Sequence, residues 1–147
     1  MSSLSMPTPL AKRVGYALKR AQQALRNRMD DALRPIGLTT PQYAVLSALE
    51  LEPGSSNASL ARAAFVTAQT MQGIVSNLER EGLIRRTADI SHARVLRGEL
   101  TASGRALLRK AHRAVADVEA MMTATLSDRD ASTLAVLLKS CVENLSS

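Results

Sequence analysis

The stretch from residue 66 to residue 82 constrains the fold of this 147-residue chain more than any other. Its apolar residues follow the i, i+3, i+4, i+7 spacing of an amphipathic helix: Met71, Ile74, Val75 and Leu78. Thr67 stands just before this helix, and its hydroxyl can accept a hydrogen bond from the N–H of Gln69 or Thr70. Gly82 follows the helix, and glycine adopts the left-handed conformation of a helix end without a steric penalty.

The opposite face of this helix carries no charge before Glu79. It consists of small or amide side chains: Gln69, Thr70, Gln72, Gly73, Ser76 and Asn77. A solvated helix face normally carries Lys and Glu, whereas Gln, Thr, Ser and Asn both donate and accept hydrogen bonds and therefore suit base edges in a major groove. The pattern predicts either a helix that reads DNA or a surface helix that lacks charge.

Length and charge restrict the remaining possibilities. A chain of 147 residues can bury a core, and no apolar run in it approaches the ~20 residues that a membrane span needs. Residues 1–8 contain Ser and Pro and no apolar centre, which predicts a flexible tail and a cytoplasmic protein. The net charge of +6 favours a polyanionic partner, although residues 59–101 hold six Arg against four acidic residues and are only mildly basic.

A long first helix is predicted between Pro9 and Pro35. Its apolar residues repeat every three or four positions, close to a heptad seam: Leu10, Val14, Leu18, Ala21, Leu25, Met29 and Leu33. Its other side is basic and is either solvated or contacts a ligand or phosphate through one or two side chains.

Thr39 or Thr40 is predicted to cap a second helix. The apolar side of that helix consists of Tyr43, Val45, Leu46, Leu49 and Leu51.

A helix-turn-helix is predicted in the middle of the chain. A short third helix begins at Asn57 or Ser59, ends at Ala64 and leads directly to the Thr67 cap. A short helix, a tight turn and a longer polar-faced helix form the unit whose second helix enters the major groove of DNA. In that geometry Arg62 and the Thr67 hydroxyl are expected to meet phosphates.

Two strand-like runs follow this unit, at residues 83–87 and 95–100, with a polar loop between them. A two-stranded hairpin directly after a recognition helix is a wing, and wing tips commonly place an Arg in the minor groove. Arg94 is the predicted minor-groove residue, and a solvated loop arginine is the alternative.

Two further helices complete the chain. Thr101 is predicted to cap a long helix that runs to about Leu126, and Ser127 with Asp130 resembles the capping box of a last helix. One side of the last helix carries Leu134, Leu137, Leu138, Cys141 and Leu145. Together with the first helix they expose more apolar surface than the winged unit can cover, which predicts a homodimer. The predicted dimer contacts are Leu10, Val14, Leu134, Leu138 and Cys141.

The homodimer predicts a palindromic operator with half-sites ~34 Å apart. Cys141 is the only cysteine, which excludes an internal disulfide, and its apolar helical face predicts a buried packing residue. No catalytic motif is present, so we expect no enzymatic activity. His92 and His112 lie on different elements without ligand spacing, so neither a metal site nor a cofactor is expected.

The order of these elements resembles the MarR family of bacterial winged-helix regulators. Residues 38–46 are similar to its LTxxQxxVL helix, and residues 59–61 to its xLA motif. Residues 78–86 resemble its LExxGLIxR exit from the recognition helix, and residues 100–104 the LTxxG that closes the wing. The resemblance covers the chain from about residue 10 to residue 145, and it implies a homodimer that binds an operator, more often as a repressor.

The same resemblance implies a small-molecule trigger. The usual effector of the family is a small aromatic or phenolic acid, bound in a cleft between the dimerisation helices and the winged unit. Arg13, Tyr16, Arg20 and Tyr43 could line such a cleft, because a guanidinium can pair a carboxylate through two hydrogen bonds. The alternative for each residue is a surface arginine or a tyrosine in a packing seam.

The wing departs from the family pattern Asp-Pro-x-Asp-Arg-Arg. Asp89 and Arg94 match it, but His92 replaces the second Asp and Ala93 replaces a basic residue. The change weakens the expectation of minor-groove binding and permits a mild pH dependence, since histidine gains charge near pH ~6.5.

The sequence therefore predicts a mainly α fold with a small β wing. Residues 37–101 form a winged helix-turn-helix, and residues 9–36 and 102–147 form the dimerisation region. The predicted function is a sequence-specific, ligand-responsive repressor. The predicted DNA-binding residues are Arg62, Thr67, Gln69, Thr70, Gln72, Gly73, Ser76, Asn77, Arg86 and Arg94. Two alternatives stay open: a winged-helix protein-interaction module and a weakly specific architectural DNA binder.

Overall fold

The computed structural model describes residues 9, 12–91 and 96–146. The elements in chain order are α1 (Val14–Leu33), a single 3₁₀ turn (Arg34–Ile36), α2 (Thr40–Leu51), α3 (Asn57–Ala64), α4 (Ala68–Arg80), β1 (Ile84–Ala88), β2 (Leu96–Leu100), α5 (Ala102–Met122) and α6 (Asp128–Leu145). The predicted mainly α fold with a small β wing is confirmed. The predictions for the tail at residues 1–8, for Leu10 and for the wing residues His92 and Arg94 lie outside the described residues.

Side-chain caps fix where most helices begin. Thr39 and Gln42 form a complete capping box at α2, in which each side chain bonds the backbone of the other residue. Thr67 accepts from the Thr70 N–H at 3.1 Å, as predicted, and starts α4. Ser56, Thr101 and Ser127 cap α3, α5 and α6 in the same way. Each cap satisfies a backbone donor that the first turn of a helix leaves free.

One core holds α2, α3 and α4 against the second half of α1 and the first half of α5. Its completely buried large residues are Leu33, Leu46, Leu49, Leu60, Met71, Leu78, Ile84, Leu108, Val45 and Val75. The predicted stripe of α4 is therefore the side that faces the core. Gly82 ends this helix region with a left-handed φ of 76°, as its position in the sequence indicated.

The wing is an antiparallel hairpin in which Ile84 pairs with Leu100 and Ala88 with Leu96. The loop between α2 and α3 extends this sheet. The Gly54 N–H donates to the Gly98 carbonyl at 2.8 Å, and the Gly98 N–H donates to the Ser55 carbonyl at 3.1 Å. The strand β2 is consequently hydrogen-bonded on both sides, to β1 and to this loop.

Three predicted boundaries and faces are corrected. The first helix begins at Val14 and not at Pro9, because Arg13 is extended (ψ 133°) and no side chain caps the helix start. Leu51 was assigned to the apolar side of α2 but is 83% exposed, since it lies at the last residue of the helix, beyond the core. The α5 helix ends at Met122 and not near Leu126, where Thr123 leaves the helical conformation.

Apolar side chains remain exposed along α6, at the end of α5 and at the start of α1. They are Val14, Leu18, Met121, Met122, Leu126, Leu134, Val136, Leu137, Leu138, Val142 and Leu145. None of the described residues of α6 is buried. Cys141, predicted to be buried, is half-exposed because the described residues leave this face of α6 largely uncovered. In the part of the chain that the structure describes, no helix has the length and hydropathy to cross a membrane.

The surroundings of Gly104 explain why the LTxxG motif ends in glycine, and they yield a stability prediction. A Cβ at this position would lie 2.0 Å from the Leu83 carbonyl oxygen, which is backbone and cannot rotate away. Gly104→Ala should therefore lower the free energy of unfolding by at least about 2 kcal/mol in urea titrations. The exposed neighbour Ser103 provides the control, since Ser103→Ala should change stability by less than about 0.5 kcal/mol. Equal stability of the two variants would contradict the close approach.

Candidate DNA-binding face and effector cleft

The α4 helix presents the predicted reading residues on one outward face. Met71, Val75 and Leu78 are 0% exposed and hold the inner side of the helix. Gln69, Thr70, Gln72, Gly73 and Asn77 are exposed, and Ser76 is half-buried. Because these six positions share one face and carry no charge, they form a continuous donor-and-acceptor surface, which we call the reading face.

The start of α4 is electrostatically open to an anion. Its first turn contains no acidic residue, so its backbone N–H groups keep their partial positive charge. The Thr67 hydroxyl caps this turn and lies 3.0 Å from that of Thr70. Arg62 is exposed one helix earlier and donates to the Ser59 hydroxyl at 3.2 Å. Both predicted phosphate contacts are thus exposed beside the reading face.

Two amides of the reading face are engaged in exposed hydrogen bonds. Asn57 donates to the Gln72 side chain at 2.9 Å, and Arg80 donates to the Asn77 side chain at 3.0 Å. Exposed bonds of this kind exchange readily with water. These bonds orient both amides in advance and leave them able to bond to another partner.

Arg86 lines a cavity next to the reading face, together with Gln72 and Asn57. Its side chain is only 11% exposed and forms an ion pair with Glu79, with the Nη2 atom 3.0 Å from the carboxylate oxygen. The predicted DNA contact of Arg86 requires the guanidinium to leave Glu79, and it stays a prediction. In this structure Arg86 connects β1 to the end of the recognition helix.

Arg97 makes structural contacts that the sequence reading missed. Its Nε donates to Asp89 at 2.7 Å, and its Nη1 lies 3.4 Å from the Gly54 carbonyl. It therefore joins the tip-side end of the wing to the loop before α3. Asp89 was recognised as part of the wing motif, but nothing in the sequence identified Arg97 as its partner.

A cleft of about 480 Å³ lies between α1, α2 and the turn from α3 to α4. Its lining is largely apolar, with one cation, one amide and one hydroxyl: Gln22, Leu25, Arg26, Met29, Thr40, Pro41, Ala44, Ala63, Ala64, Phe65 and Val66. The cleft has the location that the resemblance implied. However, none of the four predicted lining residues, Arg13, Tyr16, Arg20 and Tyr43, belongs to it.

The four predicted residues are engaged elsewhere. Tyr16 and Arg20 lie together in the exposed half of α1, where the guanidinium is 5.9 Å from the ring centroid. Arg13 lies at the residue before α1, further still from the cleft. α1 packs on the winged unit with its second half, so its N-terminal residues project beyond the cleft. The Tyr43 hydroxyl is bonded to His112 on α5 at 2.8 Å.

Tyr43, His112 and Glu50 form a hydrogen-bonded chain between α2 and α5. Burial raises the pKa of the Tyr43 phenol, which therefore keeps its proton at neutral pH, and its hydroxyl oxygen lies 2.8 Å from Nδ1 of His112. The Nε2 atom of His112 lies 2.9 Å from Glu50. Tyr43 therefore joins α2 to α5 outside the lining of this cleft, and its predicted ligand contact stays a prediction.

Arg26 is the charged group of the cleft. Its Nε donates to Asp30 one turn later at 3.2 Å, and Asp30 also accepts from the Thr40 hydroxyl. The Thr40 hydrogen bond, supported by Arg26, lowers the pKa of the Asp30 carboxyl against the opposing effect of its burial. Asp30 is therefore ionised at neutral pH, and it orients Arg26 at the cleft.

Comparison with known proteins places the chain among bacterial regulators. Residues 36–95 match a family model described as the MarR family. The chain is similar to the HTH-type transcriptional repressor Rv2887 of Mycobacterium tuberculosis (strain ATCC 25618 / H37Rv). The two are 41% identical over 114 residues, which are 78% of this chain and 82% of the repressor.

Two solved structures have the same fold along nearly the whole chain. The transcriptional repressor CouR bound to a 23-mer DNA duplex has a TM-score of 0.84 and 31% identity, covering 96% of this chain and 99% of that one. Rv2887 in complex with salicylic acid has a TM-score of 0.73 and 35% identity, covering 95% of this chain and 99% of that one.

Gly73 gives a prediction in which stability and DNA binding change in opposite directions. A Cβ at Gly73 would contact nothing within 4 Å, so Gly73→Ala should stabilise α4 by about 1 kcal/mol through helix propensity. The added methyl group would occupy the centre of the reading face, and DNA affinity should fall about tenfold in fluorescence anisotropy titrations.

Gly15 in α1 is the matched control, because its Cβ position is equally open and lies outside the reading face. Gly15→Ala should leave DNA affinity unchanged. An unchanged affinity in Gly73→Ala as well would mean that the centre of this face does not approach DNA.

Proposed function

The chain belongs to the MarR family of DNA-binding transcriptional regulators, and on that premise we propose that it is a repressor released from its operator by a small aromatic acid. The single observation that carries the proposal is the adjacency of the two sites. The reading face begins at Gln69, and the effector cleft ends at Val66, only three residues earlier.

The reading face supports sequence-specific binding. Backbone binding depends mainly on Lys and Arg, whereas recognition of base edges requires directional donors and acceptors. Gln69, Gln72 and Asn77 supply such groups, and the amides of Gln and Asn suit the N6 and N7 atoms of adenine. We assign Thr67 and Arg62 to the flanking phosphates.

The exposed apolar residues of α1, α5 and α6 support a homodimer. Val14, Leu134 and Leu138 are 74%, 43% and 37% exposed in the single chain, and Cys141 lies on the same side of α6 as the two leucines. A second copy would cover them by the same residues, as two-fold symmetry requires. The two reading faces would then meet a palindromic operator in the cytoplasm, where the bacterial chromosome lies.

The cleft composition supports an aromatic acid as the effector. Leu25, Met29, Pro41 and Ala44 form apolar walls for a ring, and Arg26 lies beside them for a carboxylate. Rv2887, 41% identical to this chain, has been solved in complex with salicylic acid, a molecule of this type. The effector would act by binding better to a dimer that cannot match the operator spacing, and operator affinity would fall by that difference.

Sequence specificity can be measured as the difference in affinity between operator and random duplex. The protein should bind duplex from the intergenic region upstream of its own gene at least about 10³-fold more tightly than random duplex in anisotropy titrations. Gln69→Ala and Asn77→Ala should each reduce the specific affinity about tenfold or more and leave random binding unchanged. Equal affinity for both duplexes, lost together as salt rises, would instead identify an architectural binder.

The role of the cleft can be tested through Arg26, its charged residue. Arg26→Gln should remove most of the release of operator DNA by salicylate, because the carboxylate loses its cationic partner. Arg28→Gln is the matched control, since Arg28 lies on α1 outside the cleft. A wild-type response retained in Arg26→Gln would place the effector elsewhere.

A further inference from the structure

Phe65 has an unusual backbone and an unusual environment. It is the one non-glycine residue with a positive φ (57°) in the described part of the chain, and its ψ of 42° completes the left-handed conformation. Glycine adopts this conformation freely, whereas a side chain there is sterically unfavourable. The phenyl side chain is also 94% exposed, so it adds nothing to the core. Neither the turn nor the core accounts for a phenylalanine here.

The position of Phe65 suggests a role at the cleft. Phe65 is among the residues that line the cleft, on the turn between α3 and α4, while Leu25 and Arg26 line it from α1. The turn behind it is held by backbone bonds, since the Phe65 and Val66 N–H groups donate to the Arg62 and Ala61 carbonyls at 3.3 and 3.1 Å. A ring bound in the cleft can therefore cover the phenyl group, which the described residues leave 94% exposed.

We propose that Phe65 is the specificity-determining residue for a planar aromatic ring in the effector cleft, and that it transmits occupancy of the cleft to the recognition helix. The inference rests on the proposed function and deepens it. Phe65 packs edge-to-face or offset on the effector ring, while Arg26 of α1 holds the carboxylate.

The connection from Phe65 to the recognition helix is short, so a movement of the phenyl ring is transmitted to the start of α4. Val66 alone separates Phe65 from Thr67, and the Thr67 hydroxyl fixes the first turn of α4 through the Thr70 N–H. A shift of the phenyl ring onto an effector moves this turn, and with it Gln69 and Thr70 at the start of the reading face. A ligand that needs the shifted turn binds the DNA-competent form more weakly, which is the differential affinity that release requires.

Phe65→Gly tests the proposal without endangering the fold, because glycine favours the left-handed conformation already present. The probes are salicylate and cis-2-hydroxycyclohexanecarboxylate, which share the acid and the neighbouring hydroxyl but differ in the aromatic ring. Wild-type protein should be released from operator duplex by salicylate at a concentration about tenfold lower than by the cyclohexane acid. Phe65→Gly should need about tenfold more salicylate and lose the discrimination, with unchanged DNA affinity and an equal or higher melting temperature. Phe65→Leu should lose the discrimination and keep part of the response.

Three results would overturn the assignment: an unchanged salicylate response and discrimination in Phe65→Gly, a tenfold loss of DNA affinity without effector, or a change of oligomeric state in size-exclusion chromatography. The second would place the ring at DNA and the third at a partner copy. A wild-type protein released by neither acid would instead contradict the proposed effector itself. The two failures are therefore distinguished by the wild-type titration alone.

Discussion

The burial of one side of α4 is the constraint on which the function depends. Met71, Val75 and Leu78 are completely enclosed, so the helix cannot rotate about its axis without exposing them. The side that remains outside is thereby fixed, and it is the side with Gln, Thr, Ser and Asn. The core, the cap at Thr67 and the left-handed Gly82 all hold this one orientation.

Charge in the winged unit is used mainly to hold the unit together. Three of the four acidic residues in residues 59–101 face arginines of the hairpin: Glu79 with Arg86, Asp89 with Arg97, and Glu99 with Arg85. These pairs leave the net charge of residues 59–101 unchanged, but they engage three of its six arginines with carboxylates. In the proposed function, discrimination between DNA sequences is left to the neutral reading face and to the open start of α4, whose contacts are short-range and directional.

The elements and the reading face were predictable from sequence, whereas the cleft was not. A capping threonine, an apolar stripe and a terminal glycine act within a few residues, so Thr39, Thr67 and Gly82 carry local information. The cleft arises where α1 crosses α2, and helical periodicity does not say which arginine of α1 lies at that crossing. Arg13, Arg20 and Arg26 are chemically identical, and only tertiary packing selects Arg26. The same applies to Arg97, whose partner Asp89 is brought to it by the hairpin register.

The location of the cleft gives the proposed effector two ways to weaken operator binding. In the proposed dimer, α1, α5 and α6 set the distance between the two reading faces, and the cleft lies where α1 meets the winged unit. An occupant that wedges α1 away from α2 changes the spacing of both half-sites together. An occupant that draws on Phe65 changes the start of α4 within each half-site. Because both movements oppose the same DNA-bound geometry, their free energies add, and a ligand with a small effect on each can still release the operator.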